Sequence, residues 1–503
     1  MDQNKHEYAE INLKARSDWR LFYEKLEQYL KRYQPLDYAK YIANRIKEAK
    51  TDIQLAGRMP LHFVAHSLEA CCRYARGQNK DVVDYNGFAR VINLYHDHND
   101  VVQTSLLKIN FQYFFMVTAL QQFDFQYYPH KYDLVRVWEL FVASNPVPTI
   151  SQAFFAHNGL SIEEWVQFCF AFYAATNKKI FIKKQYLTQS KVFVNKAEKI
   201  NQFIKLISFT VKEIGARYEE KKLKTPLQFH LFIKSVFLER PLINFGDDLL
   251  FAPFPELLMK HANEGIYPLV KSLPKFDQEF GKSVQNYTKR ILSELQNILK
   301  IYSDNEIKSL LKGEHCDFVC ELPDEVLLVE SKAVTYTPRL LLEEVIKNDN
   351  STNKVVKGLK QLYETAGQIK NGALSELGIS NTKPVIALIV TYGDIPFPNS
   401  DWYYNTFFIP VAQKLFPSGI PEVMQFRPAI MSLGCFELFI RYALTGKSIL
   451  TIFKEKNEQR YEIVGDWEVY LKAKLSELGN NAPAISYVDK RWGEIFQTMG
   501  VST

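Results

Sequence analysis

At 503 residues the chain is long enough for about two or three domains, and its 47% hydrophobic and 23% charged residues are ordinary for a folded protein, not a disordered one. A formal charge of +6 with a pI near 8.7 is compatible with a polyanionic partner without demanding one. Cys71, Cys72, Cys169, Cys316, Cys320 and Cys435 form no repeated Cys-x-x-Cys framework, which argues against a disulfide scaffold and structural zinc, and no apolar run approaches the roughly 18–20 residues that span a bilayer.

The charged start, Met1 to Trp19, lacks the apolar centre of a signal peptide, so the expectation is a soluble cytoplasmic protein without a membrane partner. Trp19, Phe22, Tyr23, Leu26, Tyr29, Leu30 and Tyr33 then recur at helical spacing, and a similar pattern returns at Phe203, Ile204, Ile207, Val211, Ile214 and Tyr218. Between them Ser161 and Glu164 form a capping box ahead of Trp165 and Phe168. Residues 1–224 are therefore expected to be an all-helical domain, serving as a scaffold or in target or partner recognition.

Two stretches of this region carry chemistry-bearing side chains. Tyr95-His96-Asp97-His98-Asn99-Asp100, with His66 upstream, resembles the His…His-Asp…Asp pattern of helical metal-dependent phosphohydrolases. Their usual small residue and Gly after His-Asp are absent, and the final Asp could be Asp124 or Asp133. The run from Lys178 to Tyr186 mixes lysines with aromatics, as a solvated face or a backbone-tracking surface does.

Glu219 to Lys224 followed by Pro226 reads as a linker, and residues 225–274 as a connector with a small hairpin over Pro241 to Phe251. From there Phe276, Phe280, Val284, Tyr287, Ile291, Leu295 and Ile298 trace one apolar stripe, which predicts a helix of about six turns.

After this helix the run from His315 to Lys332 reads as two strands around a Pro323-Asp324 turn. A turn centred there sets Leu328 opposite Val319 and Glu330 opposite Asp317. Residues two apart on a strand share a face, so Lys332 lies one step beyond that pair. Adjacent carboxylates in an apolar hairpin repel, and burial penalises both, unless a cation compensates them. Hard, oxygen-rich sites suit Mg²⁺ or Mn²⁺.

These residues resemble the PD-(D/E)XK phosphodiesterases, the restriction-endonuclease-like nucleases, through Asp317 followed by Glu330-Ser331-Lys332 at the end of the next strand. The resemblance implies that Asp317, Glu330 and the Ser331 carbonyl bind Mg²⁺ or Mn²⁺ and that Lys332 is catalytic with the two carboxylates. It also implies a metal-assisting glutamate on the preceding helix. The commonest family position would be Gln285 here, which leaves Glu279, nearer the helix start, as the candidate.

Past the hairpin, Lys354 to Ile369 reads as a helix with Lys354, Lys357, Gln361 and Gln368 along one polar side, and Lys383 to Tyr392 as a buried strand. Gln361 and Tyr363 resemble part of the Gln-x-x-x-Tyr element of RecB-like nucleases, with Thr365 at the Tyr position. That likeness implies a nucleic-acid backbone contact for Gln361, to which Lys357 would add a phosphate contact. A further strand near Phe426 to Leu433, then helices over Phe436 to Lys456 and Trp467 to Leu478, complete the chain.

The expected fold is α+β or α/β, a large helical domain followed by a restriction-endonuclease-like mixed sheet flanked by helices, with the nuclease core at 275–420. Residues 421–503 would complete that core or form an oligomer surface. The expected function is a metal-dependent endonuclease acting on DNA, of the kind found in restriction or anti-phage defence, as a possible homodimer or with a partner protein. The alternatives are an inactive nuclease-fold module for nucleic-acid binding or assembly, and a phosphohydrolase centred on His96 and Asp97.

Overall fold

A computed structural model describes residues 19–49, 52–75, 81–107, 125, 130–143, 148–188, 196–225, 227, 230, 233–272, 276–335, 350–395, 398–419, 424, 426–458 and 467–498. They belong to two compact units, Met1–Pro129 with Ser151–Leu269, and His130–Ile150 with Val270–Thr503. The architecture is mixed α and β, mainly helical, and among the described residues no helix is long and apolar enough to cross a membrane.

The first unit is built around the Leu61–Tyr74 helix, in which every residue from His62 to Cys72 is buried. Glu69 at its centre is fully buried, and its carboxylate accepts the Val236 N–H at 2.9 Å and the Ser235 hydroxyl. The Val211–Lys224 helix packs against it at Gly215, where a Cβ would lie only 2.9 Å from the Cys72 carbonyl oxygen.

This unit is not all-helical. Strands β1 (Phe181–Lys183), β2 (Ser208–Thr210), β3 (Leu242–Asn244) and β4 (Leu249–Phe251) form a sheet in the order β1-β4-β3-β2, so two strands fall inside the stretch expected to be helical. The apolar pattern from Phe203 to Tyr218 spans two helices, because Thr210 leaves the helical conformation and caps the second one with Glu213. The expected hairpin is β3–β4, turning through Gly246, Asp247 and Asp248 at positive φ, and it pairs into this sheet.

The second unit holds a five-stranded sheet of β5 (Lys300–Ser303), β6 (Phe318–Glu321), β7 (Val326–Lys332), β8 (Val385–Thr391) and β9 (Ala429–Ser432), ordered β5-β6-β7-β8-β9. The first three strands are antiparallel, and β8 and β9 continue parallel to β7. Central position explains the composition: β7 and β8 have neighbours on both edges and helices against them, so they read as continuous apolar runs. The hairpin register is the expected one, Val319 opposite Leu328.

The helix before the hairpin is Phe276–Leu292, shorter than the six turns expected. The chain leaves it through turns and enters β5, where Ser303 and Glu306 box the next short helix. The Phe436 to Lys456 stretch likewise divides into Leu433–Ala443 and Ile449–Glu458, separated at Gly446 with φ of 90°. Residues 130–150 cluster with this unit because their charges are met there. Arg136 forms a two-pronged pair with buried Glu437, at 2.9 and 2.7 Å, and buried Glu139 accepts from Arg290 and Arg491.

Candidate active site

The last ladder pair of the hairpin is Phe318 with Val329, and one step further Asp317 and Glu330 meet. Each carboxylate accepts a backbone N–H from the opposite strand. Asp317 N–H donates to Glu330 Oε2 at 3.0 Å, and Ser331 N–H donates to Asp317 Oδ2 at 2.7 Å. A strand residue turns its N–H and C=O to the same edge, so the Ser331 carbonyl opens on the Asp317 side as well.

Glu330 is 1% exposed, and its carboxyl is pushed up to about 8, first by burial and then by the negative charge of Asp317. Burial also raises the Asp317 carboxyl, against the Ser331 N–H and the Lys332 charge that lower it. Burial thus disfavours ionisation of both carboxyls, and the charge of one opposes ionisation of the other.

Lys332 supplies part of that compensation. Its ammonium donates to Glu330 Oε1 and, at 2.8 Å, to Gln361 Oε1. Gln361 in turn donates from Nε2 to the His315 carbonyl at 2.9 Å. From the other helix Gln285 donates to Asp317 Oδ1 at 2.9 Å. Asp317, Glu330, Ser331, Lys332 and Gln361 thus come together.

Two candidates sit differently. Glu279 lies six residues before Gln285, about 9 Å along the helix axis and on another face, and Gln285 is the side chain that reaches Asp317. Lys357 pairs with Glu314 at 3.1 Å, beside the cluster. Tyr363 is fully buried with its hydroxyl near that of Tyr404, whereas Thr365 accepts the Cys316 N–H at 3.1 Å.

Sequence reasoning passed over Gly358. The Asn350–Lys370 helix packs on β7, and a Cβ at Gly358 would lie 3.0 Å from Lys332 Cε and 3.2 Å from Glu330 Cγ. A glycine inside an amphipathic helix is the signal that could have marked this close approach. His315 Nε2 also stands 2.7 Å from Asp304 Oδ1, on a segment whose β5 strand was not expected.

The His-Asp motif of the first unit does not converge. His66 pairs with Glu69 at 3.2 Å, His96 donates to the Arg58 carbonyl at 3.1 Å, Asp97 is exposed, and the His98 ring packs 4.0 Å from that of Trp19. Asp133 caps a helix of the second unit at His130, and Asp124 lies outside the described residues. Among the described residues no group of three or more His, Cys, Asp or Glu side chains could hold a metal ion. The Asp317–Glu330 pair is a two-carboxylate arrangement.

Compared with protein-family models, curated proteins and solved structures, the chain matches none.

Proposed function

We propose that the protein is a metal-dependent endonuclease that hydrolyses phosphodiester bonds in DNA, with its site at the end of the β6–β7 hairpin. The observation that carries the reading is the geometry of Glu330, a carboxyl 1% exposed that is held opposite Asp317 and has Lys332 as its cation partner among the described residues. The mixed sheet, antiparallel from β5 to β7 and parallel from β7 to β9, supports a restriction-endonuclease-like core for the second unit.

Asp317 and Glu330 are the side chains that would hold Mg²⁺ or Mn²⁺, with the Ser331 carbonyl opening on the same side. Mg²⁺ suits one or two carboxylates completed by water and substrate phosphate, which fits a two-carboxylate donor set. When bound, such an ion polarises the phosphate and acidifies water.

The chain's own groups do the rest. Lys332 has three donors, of which Glu330 and Gln361 take two. The third would serve the phosphate oxygen that gains charge as the bond breaks. Gln285 and the Ser331 N–H fix the Asp317 carboxylate from two sides. Lys357 adds a phosphate contact by exchanging Glu314 for the nucleic-acid backbone. Cutting both strands of a duplex favours a homodimer that brings two such sites together.

Wild type and Lys332→Ala incubated with supercoiled plasmid, linear duplex and single-stranded DNA, each with Mg²⁺, Mn²⁺ or EDTA, test this reading. Cleavage that needs metal and disappears in the variant is the expected result. Two inert proteins that bind DNA equally in EDTA would replace it with a nucleic-acid-binding module.

A further inference from the structure

We propose that Gln361 is a positioning residue for Lys332, not a contact to the nucleic-acid backbone. The inference rests on the nuclease reading and assigns a role within that site.

The Asn350–Lys370 helix presents Gly358, Gln361 and Thr365 at intervals of three and four, which places them on one face. All three meet the hairpin. Gly358 lies against the Lys332 and Glu330 stems, Gln361 bridges Lys332 to the His315 carbonyl, and Thr365 accepts the Cys316 N–H while donating to the Gln361 carbonyl at 2.8 Å. The helix therefore grips both strands of the hairpin beside its carboxylates.

Within that grip the Gln361 amide has one workable orientation. An ammonium only donates and a backbone carbonyl only accepts, so Oε1 must face Lys332 and Nε2 must face His315. The reversed amide would set donor against donor and acceptor against acceptor. The oxygen is thus committed to Lys332, and a phosphate, which accepts only, has no use for it.

The need for such an anchor follows from the chemistry of the pair. Lysine is a flexible four-carbon chain with much rotamer entropy to lose. Its other partner, Glu330, is a candidate cation ligand whose oxygens a divalent ion would share. Gln361 is neutral and does not compete for the ion, so it keeps the ammonium in place when Glu330 is drawn away.

Gln361→Glu and Gln361→Leu separate the two roles by the sign of their difference. Glutamate keeps an oxygen for Lys332 while losing the donor to the His315 carbonyl, and leucine keeps neither. Positioning predicts that kcat on saturating DNA with Mg²⁺ falls about 10–100-fold in Gln361→Leu and is at least about fivefold higher in Gln361→Glu than in Gln361→Leu. The dissociation constant for DNA in EDTA should stay within about twofold of wild type for Gln361→Leu.

A backbone contact predicts the reverse order, because a carboxylate repels phosphate: Gln361→Glu would be the weaker binder and the slower enzyme, with kcat of Gln361→Leu near wild type. That outcome, or equal kcat in the two variants, overturns the assignment while leaving the nuclease intact. A wild type that cleaves no substrate overturns the nuclease reading and this role with it. Thermal unfolding of both variants reports their folding, and if Gln361→Leu does not fold, Gln361→Glu at less than a hundredth of wild-type kcat overturns the assignment alone.

Discussion

Replacing Gly358 by alanine should separate stability from catalysis. The residue lies inside the Asn350–Lys370 helix, where exchanging glycine for alanine is worth about 1 kcal/mol of helix propensity. Against that gain, the new Cβ would stand 3.0 Å from Lys332 Cε, 3.2 Å from Glu330 Cγ and 3.4 Å from Ile389 Cδ1. Carbon atoms favour about 3.5–4.0 Å, so Lys332 must retreat by about 0.5 Å. Overpacking costs about 1–3 kcal/mol, and the flexible end of a lysine puts this case at the low end.

The two terms nearly cancel, and the unfolding temperature should change by less than about 4 °C. Catalysis has no such compensation. A misplacement of about 1 Å can cost about 100-fold, so a shift of half that size should lower kcat about tenfold while DNA binding in EDTA is retained. Thermal unfolding without metal and single-turnover cleavage with Mg²⁺ measure both effects. A variant with wild-type stability and wild-type kcat would refute the claim that the helix presses on the Lys332 stem. A fall of more than about 10 °C would refute the claim that this stem yields.

The Glu330 carboxyl, pushed up to about 8, gives a pH dependence of definite sign. An unfolded glutamate ionises near 4.3, so between about 4.3 and 8 the native state holds the extra proton; the metal-free protein is favoured below that window and loses this stability as pH rises through it. Mg²⁺ should therefore raise the unfolding temperature more at pH 8 than at pH 5.5, and equal shifts at both would count against a cation at this pair. Glu325, 1% exposed in the hairpin turn, accepts the N–H groups of Ile449 and Leu450 at 3.0 and 3.4 Å, at the start of the Ile449–Glu458 helix. Glu325→Ala should cost about 1–3 kcal/mol in urea unfolding and Glu325→Gln much less, and equal losses would show that the capping oxygen is not the cause. Lys357→Ala should weaken DNA binding in EDTA and reduce the slope of log K against log salt by about 0.9, and an unchanged slope would exclude a phosphate contact.

The parts of this site that sequence could reach are those set by local geometry. Asp317 and Glu330 are thirteen residues apart, and a tight turn centred on Pro323 and Asp324 sets the register in which they face each other. The same reasoning cannot find β1 or β5, three and four residues long, because the partners that make them strands come from elsewhere, as Phe251 does for Phe181. Nor can it assign residues 130–150, whose placement depends on Arg136 meeting Glu437 about 300 positions later. Helical spacing put Gln361 and Lys357 on one polar side, yet Gln361 turns inward to Lys332 and Lys357 outward to Glu314.

Gly215 and Gly358 show where the remaining information lies. Each interrupts an otherwise regular helical pattern, and a sequence presents them as the same feature. A Cβ at Gly215 would meet backbone, the Cys72 carbonyl oxygen at 2.9 Å and Arg73 Cα at 3.0 Å, so this glycine exists to let two helices touch. A Cβ at Gly358 would meet the side chains of Lys332 and Glu330, so that glycine controls where charged groups stand. Helical period fixes the face a residue occupies but not the distance to what lies opposite. At the hairpin, that distance determines whether the Asn350–Lys370 helix merely covers the sheet or also holds the Lys332 ammonium in place.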